Sequence, residues 1–205
     1  TLYDSVEFGQ QLPDRSIGID EDGHWTLGNP SLGSENNSVP IGDPEQLLIN
    51  EWLTSTDVRL PNEFIEIYNP AAQAIDLSGL WLTDNMAVAP QQFQIADLTF
   101  IEADGFVTFI TDGDPEDGKD HTNFRLNSTH EHLALLASDL TPIDQIFYYP
   151  QTQDVSQGRT PDGADSYAFF ELPTPGLSNN PDEVEVTSLL DFGWDTEWMY
   201  DSSAS

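Results

Sequence analysis

The fold this sequence predicts is an all-β sandwich, and three observations predict it. Helical periodicity is nearly absent. Short apolar runs rich in β-branched and aromatic residues recur instead, each of strand length. Turn signals separate them. Asp-Gly occurs at Asp22-Gly23, Asp104-Gly105, Asp112-Gly113, Asp117-Gly118 and Asp162-Gly163, and 14 prolines and 14 glycines punctuate the 205 residues. Asp and Gly both tolerate positive φ, which tight turns require. Many short strands with a turn after each argue a sandwich rather than a helical or α/β fold.

The strands read in order as residues 47–53, 63–69, 79–83, 92–101, 105–111, 123–126, 132–137, 143–149 and 166–172. In 63–69, alternation would put Ile65 and Ile67 on a buried face and Phe64, Glu66 and Tyr68 on the other. Asn69-Pro70 ends that strand, because proline cannot donate to a ladder. Ser78-Gly79 makes a turn. Trp81 follows as a large apolar side chain expected in the core. Pro173 and Pro175 stiffen the exit of the last strand, and Gly176 permits its bend.

A hydrophobic fraction of 38% supports a packed core within one or two domains. No run of about eighteen apolar residues is present, so membrane insertion is not expected. With no cysteine there is no disulfide, thiolate metal site or thiol nucleophile. That absence fits an extracellular or cell-surface protein. The first residues read as the middle of a longer protein, so the chain is taken as a fragment.

The 37 acidic residues face only Arg15, Arg59, Lys119, Arg125 and Arg159, a net charge of −32. Such a surface repels phosphate backbones and anionic headgroups, which argues against nucleic-acid and membrane partners. It suits a hydrated surface in salty water, where ions screen the repulsion.

An internal repeat divides the chain. Residues 4–25 reappear as 144–167: Asp4 matches Asp144, Val6 Ile146, Gln11 Gln151, Asp14 Asp154, Ser16 Ser156, Gly18 Gly158, and Asp22-Gly23 matches Asp162-Gly163. After a small length difference, Pro30, Gly33, Asn36 and Asn37 meet Pro173, Gly176, Asn179 and Asn180. Residues 1–39 are therefore expected to be the C-terminal remnant of a preceding copy, with strands at 2–8 and around Trp25. Residues 40–180 would be one complete copy. Residues 181–205 would be an acidic linker followed by the start of another domain, carrying Phe192, Trp194, Trp198 and Tyr200.

The complete copy resembles the lamin-tail domain in its bacterial secreted form. The resemblance rests on LLINEW (47–52), EFIEIYNPAAQAIDLSGLWLTD (63–84), HTNFRLN (121–127), EHLALL (131–136), IDQIFY (143–148), SQGRTPDG (156–163) and PTPGLSNN (173–180). It implies an immunoglobulin-like β-sandwich without catalytic residues, serving as an interaction or adhesion module of a larger secreted or surface protein. A calcium-stabilised spacer in a tandem array and an accessory domain of a secreted hydrolase are the alternatives. The partner would be a protein or a cell-surface or matrix polymer. A monomer is expected, with domain exchange as the route to a dimer.

Candidate chemistry is sparse. His130 and His132 lie two apart, the spacing of a metal pair on a strand, but no third nitrogen ligand accompanies them. No G-x-S-x-G elbow supports a serine nucleophile. Carboxylate pairs abound, yet glycoside hydrolysis needs a deep cleft that a small sandwich does not supply. The acidic loop 111–121 holds Asp112, Asp114, Glu116, Asp117 and Asp120 as candidate ligands for calcium, which takes about six to eight hard oxygens. No other cofactor is expected. Arg159, after Gly158, is expected to form a structural ion pair with Glu63 or Glu66, or to meet a strand-end carbonyl.

Overall fold

The computed structural model describes residues 5–179. The elements run β1 (Ser16–Ile19), β2 (Trp25–Asn29), β3 (Asn37–Ser38), a 3-10 turn (Pro44–Gln46), β4 (Leu48–Leu53), β5 (Phe64–Tyr68), β6 (Ile75–Asp76) and β7 (Trp81–Thr83). They continue with β8 (Phe93–Gln94), β9 (Phe100–Ile101), β10 (Phe106–Ile110), β11 (Glu131–Leu136), β12 (Pro142–Tyr148), β13 (Ser156–Arg159) and β14 (Tyr167–Phe170).

Two antiparallel sheets make the sandwich. One has the order β10-β5-β4-β13-β14, the other β12-β11-β7-β8. Their facing residues form one core: Ile49, Trp52, Ile65, Ile67, Val107 and Phe109 from the first sheet meet Leu82, Leu133, Leu135, Ile146 and Tyr148 from the second. Alternation along each strand sends these side chains to the same face, which is why the pattern is legible from sequence. Trp52 is the largest fully buried side chain. It stacks on Tyr148 at 6.0 Å and meets Tyr167 edge-on at 5.9 Å.

The N-terminal part forms a separate three-stranded sheet, β1-β2-β3. Its Leu27 packs with Leu98 and Phe100, joined by Leu12, Ile17, Val39, Ile41 and Ala74. Backbone bonds reinforce the docking: Gly9 N donates to the Asp97 carbonyl at 3.0 Å, and Phe100 N to the Gln10 carbonyl at 3.1 Å. Within the chain, the N-terminal sheet thus docks on the neighbouring sandwich.

Several expectations need correction. Trp81 is only partly buried at the start of β7; the core tryptophan is Trp52 on β4, three strands earlier. The alternation of 63–69 does not leave a wet face, because every residue of β5 is buried. The run 92–101 splits into β8 and β9, which pair with different partners. Residues 123–126 form no strand; they are tied in by the isolated bridge of Arg125 to Asp112 and by Phe124 and Leu126, which enter the core. Residues 5–8 lie along the sandwich as irregular chain. The expectation for 181–205 falls outside the described residues.

Candidate functional site

The second face of the five-stranded sheet carries a buried polar seam. It begins with an irregularity: the β4–β5 register slips between Ile49 and Glu51, so Asn50 drops out of the ladder. Glu51 and Glu66 become register partners, and both are fully buried. Two carboxyls taken from water need donors, and Ser156 of β13 and the loop after β14 supply them. Thr174 N donates to Glu51 Oε1 at 3.0 Å, and the hydroxyl of Ser156 donates to the same oxygen. Gly176 N donates to Glu66 Oε2 at 2.5 Å. Gly176 turns the loop there with φ of +79°, a conformation that favours glycine.

The Thr174 hydroxyl lies 2.8 Å from Glu51 Oε2 and 2.7 Å from Asn179 Oδ1. It has one hydrogen and cannot donate to both. A proton on Glu51 Oε2 resolves this, since Glu51 then donates to Thr174 and Thr174 to Asn179. Burial, opposed by the Ser156 and Thr174 bonds, raises the Glu51 carboxyl above its ordinary range in the same sense. Glu66 is pushed up to about 8, chiefly by burial, with the Gly176 amide opposing.

Asn50, Asp162 and Asn179 complete the seam. Asn50 Nδ2 donates to Asp162 Oδ1 at 2.8 Å and Gly163 N donates back to Asn50 Oδ1 at 3.2 Å. Asn179 N reaches Asp162 Oδ1 at 2.9 Å, while Asn179 Nδ2 reaches the Asn50 carbonyl at 3.2 Å. Gly158 lies beneath: a Cβ there would sit 2.6 Å from the Asn50 carbonyl oxygen and 2.7 Å from Asn179 Nδ2. Every member is spent on another member, so the seam is a clasp that locks the C-terminal loop onto the sheet.

Arg159 is 4% exposed and paired, but with neither Glu63 nor Glu66. It meets Asp144 on β12 at 3.0 and 3.2 Å, donates to the Ile49 carbonyl at 2.9 Å and to the Ala164 carbonyl at 2.7 Å. Its guanidinium also lies over Tyr167, 5.2 Å from the ring centre. The expected carbonyl contact is present. The acidic partner differs because Glu66 points to the clasp, whereas Arg159 bridges toward the second sheet.

The acidic loop brings together Asp112, Asp117 and His121, whose ligating atoms all lie within 4.8 Å of one another. His121 Nδ1 is 2.7 Å from Asp112 Oδ2. Burial opposes ionisation of Asp112, but the Asp114 amide and the imidazole outweigh it and hold its carboxyl below the usual range. Asp114 instead accepts from the Glu116 amide at 3.3 Å. Glu116 and Asp120 do not join the group. His121, placed four residues after Asp117, is the member that sequence reasoning missed. An imidazole and two carboxylates suit a borderline divalent ion as well as calcium. The His130/His132 pair does not converge: His130 is exposed beside Thr129, and His132 stacks on Phe147 at 3.8 Å.

Apolar side chains are exposed along the strands that edge the two sheets. Phe147 on β12 is 66% exposed, Phe169 on β14 is 59%, and Tyr149 just beyond β12 is 76%. Between the strands lies a shallow recess lined by Trp52, Gln145, Ile146, Phe147, Gln157 and Tyr167.

Residues 42–150 match the sequence model of the Lamin Tail Domain family. No curated protein and no solved structure matches the chain.

Proposed function

This chain belongs to the lamin tail domain family, and from that premise we propose that it is a non-catalytic interaction module of a larger secreted or cell-surface protein. The family fold is generally a non-enzymatic one. The observation that carries the reading is the aromatic edge. Phe147 and Phe169 are exposed beside a recess with two glutamine amides, Gln145 and Gln157. Exposed rings with amides nearby suit a surface polymer or protein better than a small molecule. The buried carboxylates, by contrast, are occupied in the clasp and face no cleft.

The test is retention of the chain on immobilised envelope and matrix polymers, compared with a Phe147→Ala/Phe169→Ala variant. Retention lost with an unchanged melting temperature supports the reading. Equal retention of both proteins, or retention of neither, removes it. A second reading, a calcium-stabilised spacer, is favoured by the Asp112, Asp117 and His121 group. Calorimetry with calcium and with EGTA separates the two, because only the spacer melts higher with calcium.

A further inference from the structure

Residues 14–36 match residues 154–179 feature by feature. Asp14 and Asp154 both take positive φ, 55° and 60°. The β1–β2 ladder pairs Ser16 with Gly28 and Ile19 with Trp25; the β13–β14 ladder pairs Ser156 with Phe170 and Arg159 with Tyr167. Gly23 and Gly163 turn with φ of 87° and 72°. Ser34 N donates to the Ser31 carbonyl at 2.8 Å, as Leu177 N does to the Thr174 carbonyl at 2.8 Å. Gly33 and Gly176 follow with φ of 78° and 79°. Asn36 then covers Gly18, 2.9 Å from where a Cβ would sit, as Asn179 covers Gly158 at 2.7 Å.

One thing differs. The outer edge of β13 carries β4, with Gly158 opposite Glu51 and Gln157 opposite Trp52. The outer edge of β1 carries no strand among the described residues. Of the donors that hold β4 in the complete copy, Ser156, Thr174 and Asn179 have counterparts here, whereas Arg159, which bonds the Ile49 carbonyl, has Ile19 in its place. Ser16 stands for Ser156, Ser31 for Thr174 and Asn36 for Asn179, while the Gly33 amide stands for that of Gly176, which in the complete copy bonds Glu66 of β5. Asn179 is 1% exposed and reaches the Asn50 carbonyl of β4. Asn36 is exposed and turns back to the Ile19 carbonyl of its own sheet, at 2.9 Å.

We propose that the free edge of β1, capped by Ser16, Ser31 and Asn36, is an acceptor for an extended strand bearing an Asn-Glu pair, as in the LINEWL strand of a lamin-tail domain. Ladder bonds to β1 supply affinity. A carboxylate complements a set of hydroxyl and amide donors, which supplies selectivity. The glutamate faces Gly18 and takes the Ser16 and Ser31 donors, and Asn36 moves from the Ile19 carbonyl to one on the incoming strand. The inference rests on the internal repeat and is independent of the aromatic edge.

The test uses the full chain, labelled with ¹⁵N, and a synthetic peptide of residues 43–57. Saturable binding is expected, shifting the amides of 16–19 and 31–36. A peptide with Glu51→Ala should bind at least about tenfold more weakly, since a hydrogen bond to a charged group is lost. The Asn36→Ala chain should show a similar loss for the unaltered peptide. Absence of saturable binding overturns the proposal. So does binding indifferent to both substitutions, or shifts confined to β13 and β14, which would mean the peptide replaces β4 instead.

Discussion

Glu51 and Glu66 are register partners on neighbouring strands, and neither carboxyl reaches water. Glu66 titrates at about 8 in the folded protein against 4.5 as its ordinary value. Between those limits the folded state holds more protons at Glu66 than the unfolded one, so the contribution of Glu66 to stability is fully present below pH 4.5 and is lost as pH rises toward 8. The fall should be on the order of a few kcal/mol, at about 1.4 kcal/mol per pKa unit. Urea denaturation across that range measures it. Glu66→Gln should flatten the slope, and an undiminished slope would place the effect elsewhere.

Arg159 and Asp144 join the two sheets, with side chains 5% and 13% exposed. Asp144 also accepts from the Ile49 amide at 2.8 Å. Removing one partner of a buried pair costs about 3–5 kcal/mol, far above an exposed pair's worth. Arg159→Ala should therefore lower the denaturation midpoint strongly. A loss below about 1 kcal/mol would show the pair to be marginal.

Trp52→Ala should cost about 3–5 kcal/mol, the range for a buried tryptophan. Trp81→Ala should cost much less, because Trp81 lies at the margin of the core. Equal costs would contradict the packing described.

The net charge of −32 should make salt stabilising. Screening of self-repulsion predicts a melting temperature that rises from low salt to about 0.5 M sodium chloride. A flat or falling curve in a thermal scan would refute it.

Deleting residues 1–39 should leave the sandwich folded, since the core assembled by β4 to β14 lies outside that segment. The cost is re-exposure of Leu98 and Phe100, which Leu27 covers. A fully exposed large apolar side chain is worth about 1.5–3 kcal/mol. The truncated protein should melt cooperatively at a lower temperature; loss of the cooperative transition would assign 1–39 to the sandwich itself.

The sandwich was legible because its strands are short apolar runs and its turns are marked by Asp-Gly and Asn-Pro. β4 and β5 were placed nearly to the residue for that reason, although both are buried on their two faces. The function of Glu51 and Glu66 was not legible. Their donors come from Ser156, Thr174 and Gly176, more than a hundred positions away, and a strand read alone treats a glutamate as a mark of solvent. Trp81 misled through size and flanking leucines, although β7 begins at that residue and leaves one side of the indole uncovered. The internal repeat anticipated the paired turns of 14–36 and 154–179. It could not anticipate that residues 5–8 would lie as irregular chain instead of a strand. The acidic loop was seen as five carboxylates, but main-chain turns consume one of them, and His121 arrives through its bridge to Ile110.

The junction between β13 and β4 has an unusual make-up, with two register pairs where β11 and β12 share six. Most of its strength comes from side chains: Arg159 on the Ile49 carbonyl, Ser156 on Glu51 and Asn179 on the Asn50 carbonyl. A long ladder can fray one rung at a time. This junction has almost no rungs to fray and a few rivets that must release together. Amide protons of β13 and β14 should accordingly exchange with deuterium as one block sharing a single opening free energy, while those of β11 and β12 show a graded series from end to middle.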